Sequence, residues 1–237
     1  MYEKRNYRNI MKPKNLINYN ICVEESDLNI SSKINLSKLL LIQLKYIRNI
    51  IKMHCIYNSS FLKSHTPINN DYSYNIIIQK MIIASSKVNV GPMASIAGCI
   101  SEYIGKIALL FTDEIIIENG GDIFLKTLID RKIKIYAGKS PLSNKLSILI
   151  SKNSELGICT SAGTFGHSYS YGKADAVVII SKDTLLADSL ATSAANKIKS
   201  KNDIKNVLNY INSIDNINGG IIIKDDKVGA IGNINIC

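Results

Sequence analysis

Three groups of residues have types and spacings suited to chemistry. The first is Glu118-Asn-Gly-Gly-Asp122, directly after an apolar run. Paired glycines let a backbone come close to a ligand with its N–H groups exposed, as a phosphate-binding turn requires. Gly120 and Gly121 would form that turn, and Asp122 would fix the loop or orient the ligand. A plain tight turn explains the same residues. The second runs from Gly157 to Gly172 and is rich in glycine and hydroxyls around His167, one of three histidines. Thr160, Ser161 and Thr164 could hydrogen-bond phosphate oxygens, with His167 as an acid/base or anion ligand. A surface loop is the bland alternative, and Cys159 beside His167 raises a thiol nucleophile that nothing nearby orients. The third is Ala187-Asp188 followed by Thr192. Four residues apart on a helix, Asp188 and Thr192 share a face, and a carboxylate with a hydroxyl makes a hard oxygen pair suited to Mg²⁺ shared with phosphates. An ordinary acidic residue near a helix N-terminus is the alternative. Together the three groups supply the parts of a phosphate-handling site.

The rest of the pattern must position them. Residues 1–30 read as a basic lead-in and then a short strand or loop. Ser31 or Ser32 is expected to cap a helix with the stripe Leu36, Leu40, Leu44, Ile47 and Ile51. A loop over 56–73 follows, then helices over 75–86 and 91–110, the second with Pro92 in its first turn and many small residues behind it. Short Ile/Val-rich strands are expected at 114–118, 132–136, 147–150 and 174–180. Asp183 or Ser181 caps a helix over 184–199, another covers 203–213, and 219–232 reads as a hairpin turning at Asp225-Asp226. No internal repeat or long linker divides the chain. These elements predict a single α+β domain over 1–237, layered, with mixed sheets and flanking helices and with 1–23 as its basic lead-in.

Composition narrows the classes. With 46% hydrophobic and 20% charged residues in 237, the chain can bury a sizeable core and is neither disordered nor a disulfide mini-protein. The 43 Ile and 25 Asn suggest AT-rich coding, so their abundance is background. A formal charge of +10 invites a nucleic-acid reading, but the cations gather in 1–16 and at Lys197, Lys199, Lys201 and Lys205, away from the small-residue motifs. No zinc-finger, RNP-like or helix-turn-helix pattern accompanies them, and a solvated face is the preferred reading. Five scattered cysteines without a C-x-x-C pair point to reduced thiols. No secretory leader and no membrane-length apolar run is seen, so a cytoplasmic protein is expected.

Five motifs in order then resemble an uncharacterised prokaryotic family of the ApbE-like superfamily. They are Val90-Gly-Pro-Met-Ala-Ser-Ile-Ala-Gly98, Ile117-Glu-Asn-Gly-Gly-Asp122, Tyr136-Ala-Gly-Lys-Ser-Pro-Leu142, Cys159-Thr-Ser-Ala-Gly-Thr-Phe-Gly-His167 and Gly172-Lys-Ala-Asp-Ala176. The superfamily's understood members are FAD:protein FMN transferases, which use Mg²⁺ to split FAD and pass FMN to a Thr or Ser; some relatives hydrolyse FAD. The resemblance implies an ApbE-like domain. Asp188, Thr192 and the backbone carbonyl of Ala94 would be the metal ligands. Gly120, Gly121, Asp122, Thr160, Ser161 and Gly163 would form the cofactor-binding turns, and His167 the catalytic group. Two features depart from the transferases: Ser95 stands where they have a lysine, and their FAD-holding N-terminal segment has no counterpart. The resulting expectation is a Mg²⁺-assisted enzyme acting on FAD, FMN or a related nucleotide, by FMN transfer or pyrophosphate hydrolysis. A non-catalytic flavin or nucleotide carrier is the alternative. The expected partner is a small nucleotide, with neither membrane nor nucleic acid; a homo-oligomer is left open.

Overall fold

The computed structural model describes residues 13, 15–68, 75–164 and 171–237. Eight antiparallel strands form one sheet in the order β1-β2-β3-β4-β7-β8-β9-β10. They are β1 (Ile17–Val23), β2 (Ser26–Ser32), β3 (Ile115–Asn119), β4 (Asp122–Lys126), β7 (Glu155–Ser161), β8 (Ala176–Ser181), β9 (Ile217–Lys224) and β10 (Lys227–Gly232). A second antiparallel sheet, β11-β6-β5, uses Arg131–Lys134 (β5), Ser147–Ile150 (β6) and Asn235–Ile236 (β11). The helices are α1 (Ser37–Tyr57), α2 (Ser59–Lys63), α3 (Ile76–Ser86), α4 (Ile96–Ala108), α5 (Thr184–Lys197) and α6 (Ile204–Asn212), with a 3-10 turn over Pro92–Ser95.

Two apolar clusters separate three layers. Phe124, Cys159, Val177, Ile179 and Ile222 face the helices, including α1 through Leu40, Leu44, Ile47 and Ile51. Ile123, Ile158, Val178, Ile180, Ile221 and Ile223 face the small sheet through Ile135, Ile148 and Ile150. The alternation along each strand sorts its residues between these cores. β8 is buried at all six positions because both its faces are covered.

The expected α+β class holds, with every strand pairing antiparallel. Three local expectations change. Ser31 and Ser32 do not cap α1: they end β2, paired with Ile116 and Ile115. Their helix begins at Ser37, whose N–H donates to Asn35 Oδ1. β4 and β7 are strands absent from the sequence reading, and β7 takes in Thr160 and Ser161. The 56–73 loop carries the short α2, and its residues 69–74 lie outside the described residues.

On α5, the Ser189 hydroxyl is fully buried and has no hydrogen-bond partner among the described residues. An unpaired buried hydroxyl costs about 1 kcal/mol or more. Ser189→Ala is therefore expected to raise the melting temperature by roughly 2–4 °C; a fall in calorimetry would show that the hydroxyl is satisfied.

Candidate functional site

The strand ends bring the motifs to one end of the sheet. Ile123 pairs with Ile158, Ser161 with Val177 and Ala176 with Ile223. The β3–β4 turn, the chain leaving β7, the start of β8 and the β9–β10 turn therefore share that end. The β5–β6 connection reaches it from the second sheet, because Ser140 Oγ donates to the Asp225 carbonyl at 2.6 Å.

At the centre, α4 and α5 cap one another. Asp188 Oδ2 accepts the Gly98 N–H at 2.8 Å, with the Ala97 N–H also directed to the carboxylate. Both amides belong to the first turn of α4, whose N–H groups lack helical partners. Glu102 of α4 returns the arrangement by accepting the Thr184 N–H at the start of α5, at 2.9 Å. Only a glycine at 98 permits this closeness: a Cβ there would stand 2.6 Å from the Thr184 carbonyl oxygen and 2.9 Å from Asp188 Cβ.

Asp122 joins Asp188 on the helix face, since Phe124 two residues on belongs to that core. It accepts the Thr160 N–H at 3.2 Å and the Cys159 thiol. Both carboxyls are buried. Burial pushes Asp188 up to about 7, and burial with the nearby Asp188 charge pushes Asp122 well above the usual carboxylate range. Among the described residues no three His, Cys, Asp or Glu side chains gather to hold a metal. The donor set nonetheless fits a hard cation: two desolvated carboxylates side by side lack the charge that would favour their ionisation, and hydroxyl, carbonyl and ligand oxygens would complete the shell.

The other expected residues divide. Thr192 lies one turn beyond Asp188, the first position of α5 that is not buried. Ala94 is half-buried in the 3-10 turn, which packs against α5. Alternation along β7 sends Ser161 to the helix face with Asp122 and Thr160 to the opposite face. Gly120 and Gly121, with φ of 68° and 107°, form a two-residue hairpin turn between paired Asn119 and Asp122. Gly121 donates its N–H to Glu118 Oε1 at 2.9 Å, and Gly163 donates its own to the Ala174 carbonyl at 2.8 Å. Together with Thr160, three amides expected to cradle phosphate are thus donated within the protein. His167 lies outside the described residues. The thiol-nucleophile alternative loses support, because burial raises the Cys159 thiol well above its ordinary range.

Asp175, part of the Gly172–Ala176 motif, has a role that the motif alone does not assign. It is buried, and its carboxylate accepts the Thr164 hydroxyl at 3.0 Å and the Asp225 N–H at 2.5 Å. With Ser140 on the Asp225 carbonyl, it links the chain leaving β7, the β9–β10 turn and the second sheet. The motif marks the position, but a lone Asp between alanines does not show which segments it ties together. The basic cluster is also engaged: Lys197 lies over the Tyr210 ring, Lys199 donates to the Tyr171 carbonyl and Lys201 pairs with Asp226. The basic residues 1–12 and 14 are outside the described residues.

A family model described as AbpE bacteria matches residues 8–210. A UPF0280 protein of Methanocaldococcus jannaschii is 37% identical over 190 residues, covering 78% of this chain and 77% of its own. One from Methanococcus aeolicus is 41% identical over 180 residues, covering 73% of each. Among solved structures, the flavin transferase ApbE from Vibrio cholerae superposes with a TM-score of 0.59 at 13% identity, covering 92% of this chain and 97% of its own. An ApbE protein from Thermotoga maritima gives 0.53 at 12%, covering 90% and 96%. These structures share the fold. Among the described residues no helix is long and apolar enough to cross a membrane.

Proposed function

Because the chain belongs to the AbpE bacteria family and folds as the ApbE flavin transferases do, we propose that it is a Mg²⁺-assisted enzyme acting on the diphosphate of FAD or a related nucleotide. The carrying observation is the buried Asp188, held by two α4 amides beside Asp122 and one turn from the half-buried Thr192. Asp188, the Thr192 hydroxyl and the Ala94 carbonyl would hold the metal. When bound, Mg²⁺ neutralises charge developing on the diphosphate. Ser161, on the same face, is positioned to donate to a phosphate oxygen, with Thr160 and Gly163 shaping the loop and Gly120-Gly121 keeping the β3–β4 turn tight. Asp122 fixes β7 against β4 and adds its charge to the cation site.

The reaction breaks the P–O bond between the FMN phosphorus and the bridging oxygen. A hydroxyl, from water or from a protein Ser or Thr, forms the new P–O bond. Its proton passes to His167, and AMP leaves with the bridging oxygen. Transfer and hydrolysis differ only in that hydroxyl.

The test is incubation with FAD and Mg²⁺, following AMP and FMN, beside Asp188→Ala. Release that requires both metal and Asp188 is expected. The carrier reading has one observation in its favour: Ser95, where the transferases have lysine, is buried with its hydroxyl on the Pro92 carbonyl at 2.8 Å. Bound flavin without release would favour that reading; neither binding nor release would overturn both.

A further inference from the structure

One hydroxyl at this end of the sheet is exposed and has its proton held by a buried carboxylate. Thr164 Oγ1 donates to Asp175 Oδ1 at 3.0 Å. The other carboxylate oxygen of Asp175 accepts the Asp225 N–H at 2.5 Å and lies 3.8 Å from Lys224 Nζ. A nucleophile bonded to a base, which a third group orients in turn, is the arrangement that activates a hydroxyl. Its neighbours are less open: Ser161 is buried and Thr160 is half-buried on the opposite face of β7. Among the described residues of this loop, Thr164 is therefore the hydroxyl that an incoming phosphorus can reach.

The backbone ties this hydroxyl to the helix proposed to hold the metal. Gly163 donates its N–H to the Ala174 carbonyl at 2.8 Å, which sets Thr164 opposite Asp175. A Cβ on Gly163 would stand 2.2 Å from the Gly172 carbonyl oxygen, and one on Gly172 would stand 1.7 Å from the Ala195 carbonyl oxygen. The chain leaving β7 thus lies against the chain entering β8, and that chain lies against the end of α5. Ala195 follows Thr192 by three residues, so the two are neighbours on one side of the helix.

We propose that Thr164 is itself the acceptor: the protein transfers FMN from FAD onto its own Thr164, with Asp175 as the base. The proposal rests on the diphosphate reading above and names the hydroxyl which that reading leaves open. Thr164 Oγ1 forms a P–O bond to the FMN phosphorus as the bond from that phosphorus to the bridging oxygen breaks. AMP leaves with the bridging oxygen and its electron pair, and the hydroxyl proton passes to Asp175. Phosphoryl transfer depends mainly on positioning and charge stabilisation, which suits a carboxylate already seated on the hydroxyl. The product is a phosphodiester of an alkyl alcohol, a bond that survives denaturation of the protein.

The test incubates the full chain with FAD and Mg²⁺ and no other protein, then denatures it for intact-mass spectrometry and peptide mapping. The variants are Thr164→Val, Thr164→Ser and Asp175→Asn. Melting curves check that each is folded, and flavin fluorescence quenching gives its affinity for FAD. The wild-type mass is expected to rise by one FMN less water, mapped to Thr164, with AMP released in equal amount. Thr164→Ser should gain the same adduct and Thr164→Val none. Asp175→Asn should form it about 100-fold more slowly or worse with FAD affinity unchanged. Unslowed formation, or affinity lost in step with it, overturns Asp175 as the base. AMP release with the chain's mass unchanged, or an adduct on another residue, overturns Thr164 as acceptor and leaves the diphosphate reading standing. Protein that releases no AMP overturns the diphosphate reading and the acceptor with it.

Discussion

Metal-free Asp188→Asn protein is expected to melt at a higher temperature than wild type at pH 8 while losing Mg²⁺-dependent turnover of FAD. The two effects have one cause. Burial raises the Asp188 carboxyl from its ordinary 3.8 to about 7, so between about pH 4 and 7 the folded state holds a proton that the unfolded chain has released, and at pH 8 it must bury the charge. A carboxyl shifted upward destabilises the fold as pH rises from about 4 to about 7 and costs its full amount above that window. Below pH 4 both states are protonated and the cost vanishes. Asparagine keeps the acceptor for the Gly98 N–H without a charge to bury, and it also removes the like charge that raises Asp122. The gain at pH 8 is on the order of 2 kcal/mol, or roughly 4–8 °C, and it should shrink as the pH falls. Mg²⁺ should raise the wild-type melting temperature and leave the variant's unchanged. Turnover should fall ~100-fold or more, because several kcal/mol of charge stabilisation depend on the cation. Equal melting curves at pH 8 would show that Asp188 is ionised at little cost in the folded protein.

Gly98→Ala is expected to give the second large effect, in the opposite direction for stability. Its methyl group would collide with the Thr184 carbonyl and Asp188 Cβ, both on α5. Neither can swing away, so α4 and α5 must separate and loosen the mutual capping by Asp188 and Glu102. Overpacking of this kind costs about 2–3 kcal/mol, or roughly 5–10 °C in a chain of this size. The displaced carboxylate should also lower turnover ~100-fold. The checks are differential scanning calorimetry and the AMP-release assay. Wild-type melting would mean that the helices already have room to part.

The sequence shows the helices better than the sheet. α5 carries its cap, Asp183, whose side chain accepts the Leu186 N–H, and its boundaries fall within two residues of expectation. β4 and β7 are harder to see. β4 is buried at four of its five positions and follows a two-residue turn, and β7 contains Gly157, Cys159, Thr160 and Ser161. Neither shows the alternation of a half-buried strand, because a second sheet covers the face that would otherwise meet water. Ser31 and Ser32 mislead for a related reason: a hydroxyl that suits a helix cap suits a buried strand end equally well. At the site, spacing pairs Asp188 with Thr192 on one helix. The joining of Asp188 to Asp122 and to the α4 amides depends on contacts 66 to 91 residues apart in the chain, for which a single sequence carries no local signal.

The turn at Asp225-Asp226 has the outward look of a convenient place to graft a reporter peptide or to open new chain ends: polar, exposed and at the tip of a hairpin. Its backbone says otherwise. The N–H of Asp225 is bound to Asp175 and its carbonyl to Ser140, so this tip is the keystone of an arch whose other stones are the chain leaving β7 and the second sheet. A peptide spliced there would free both piers at once.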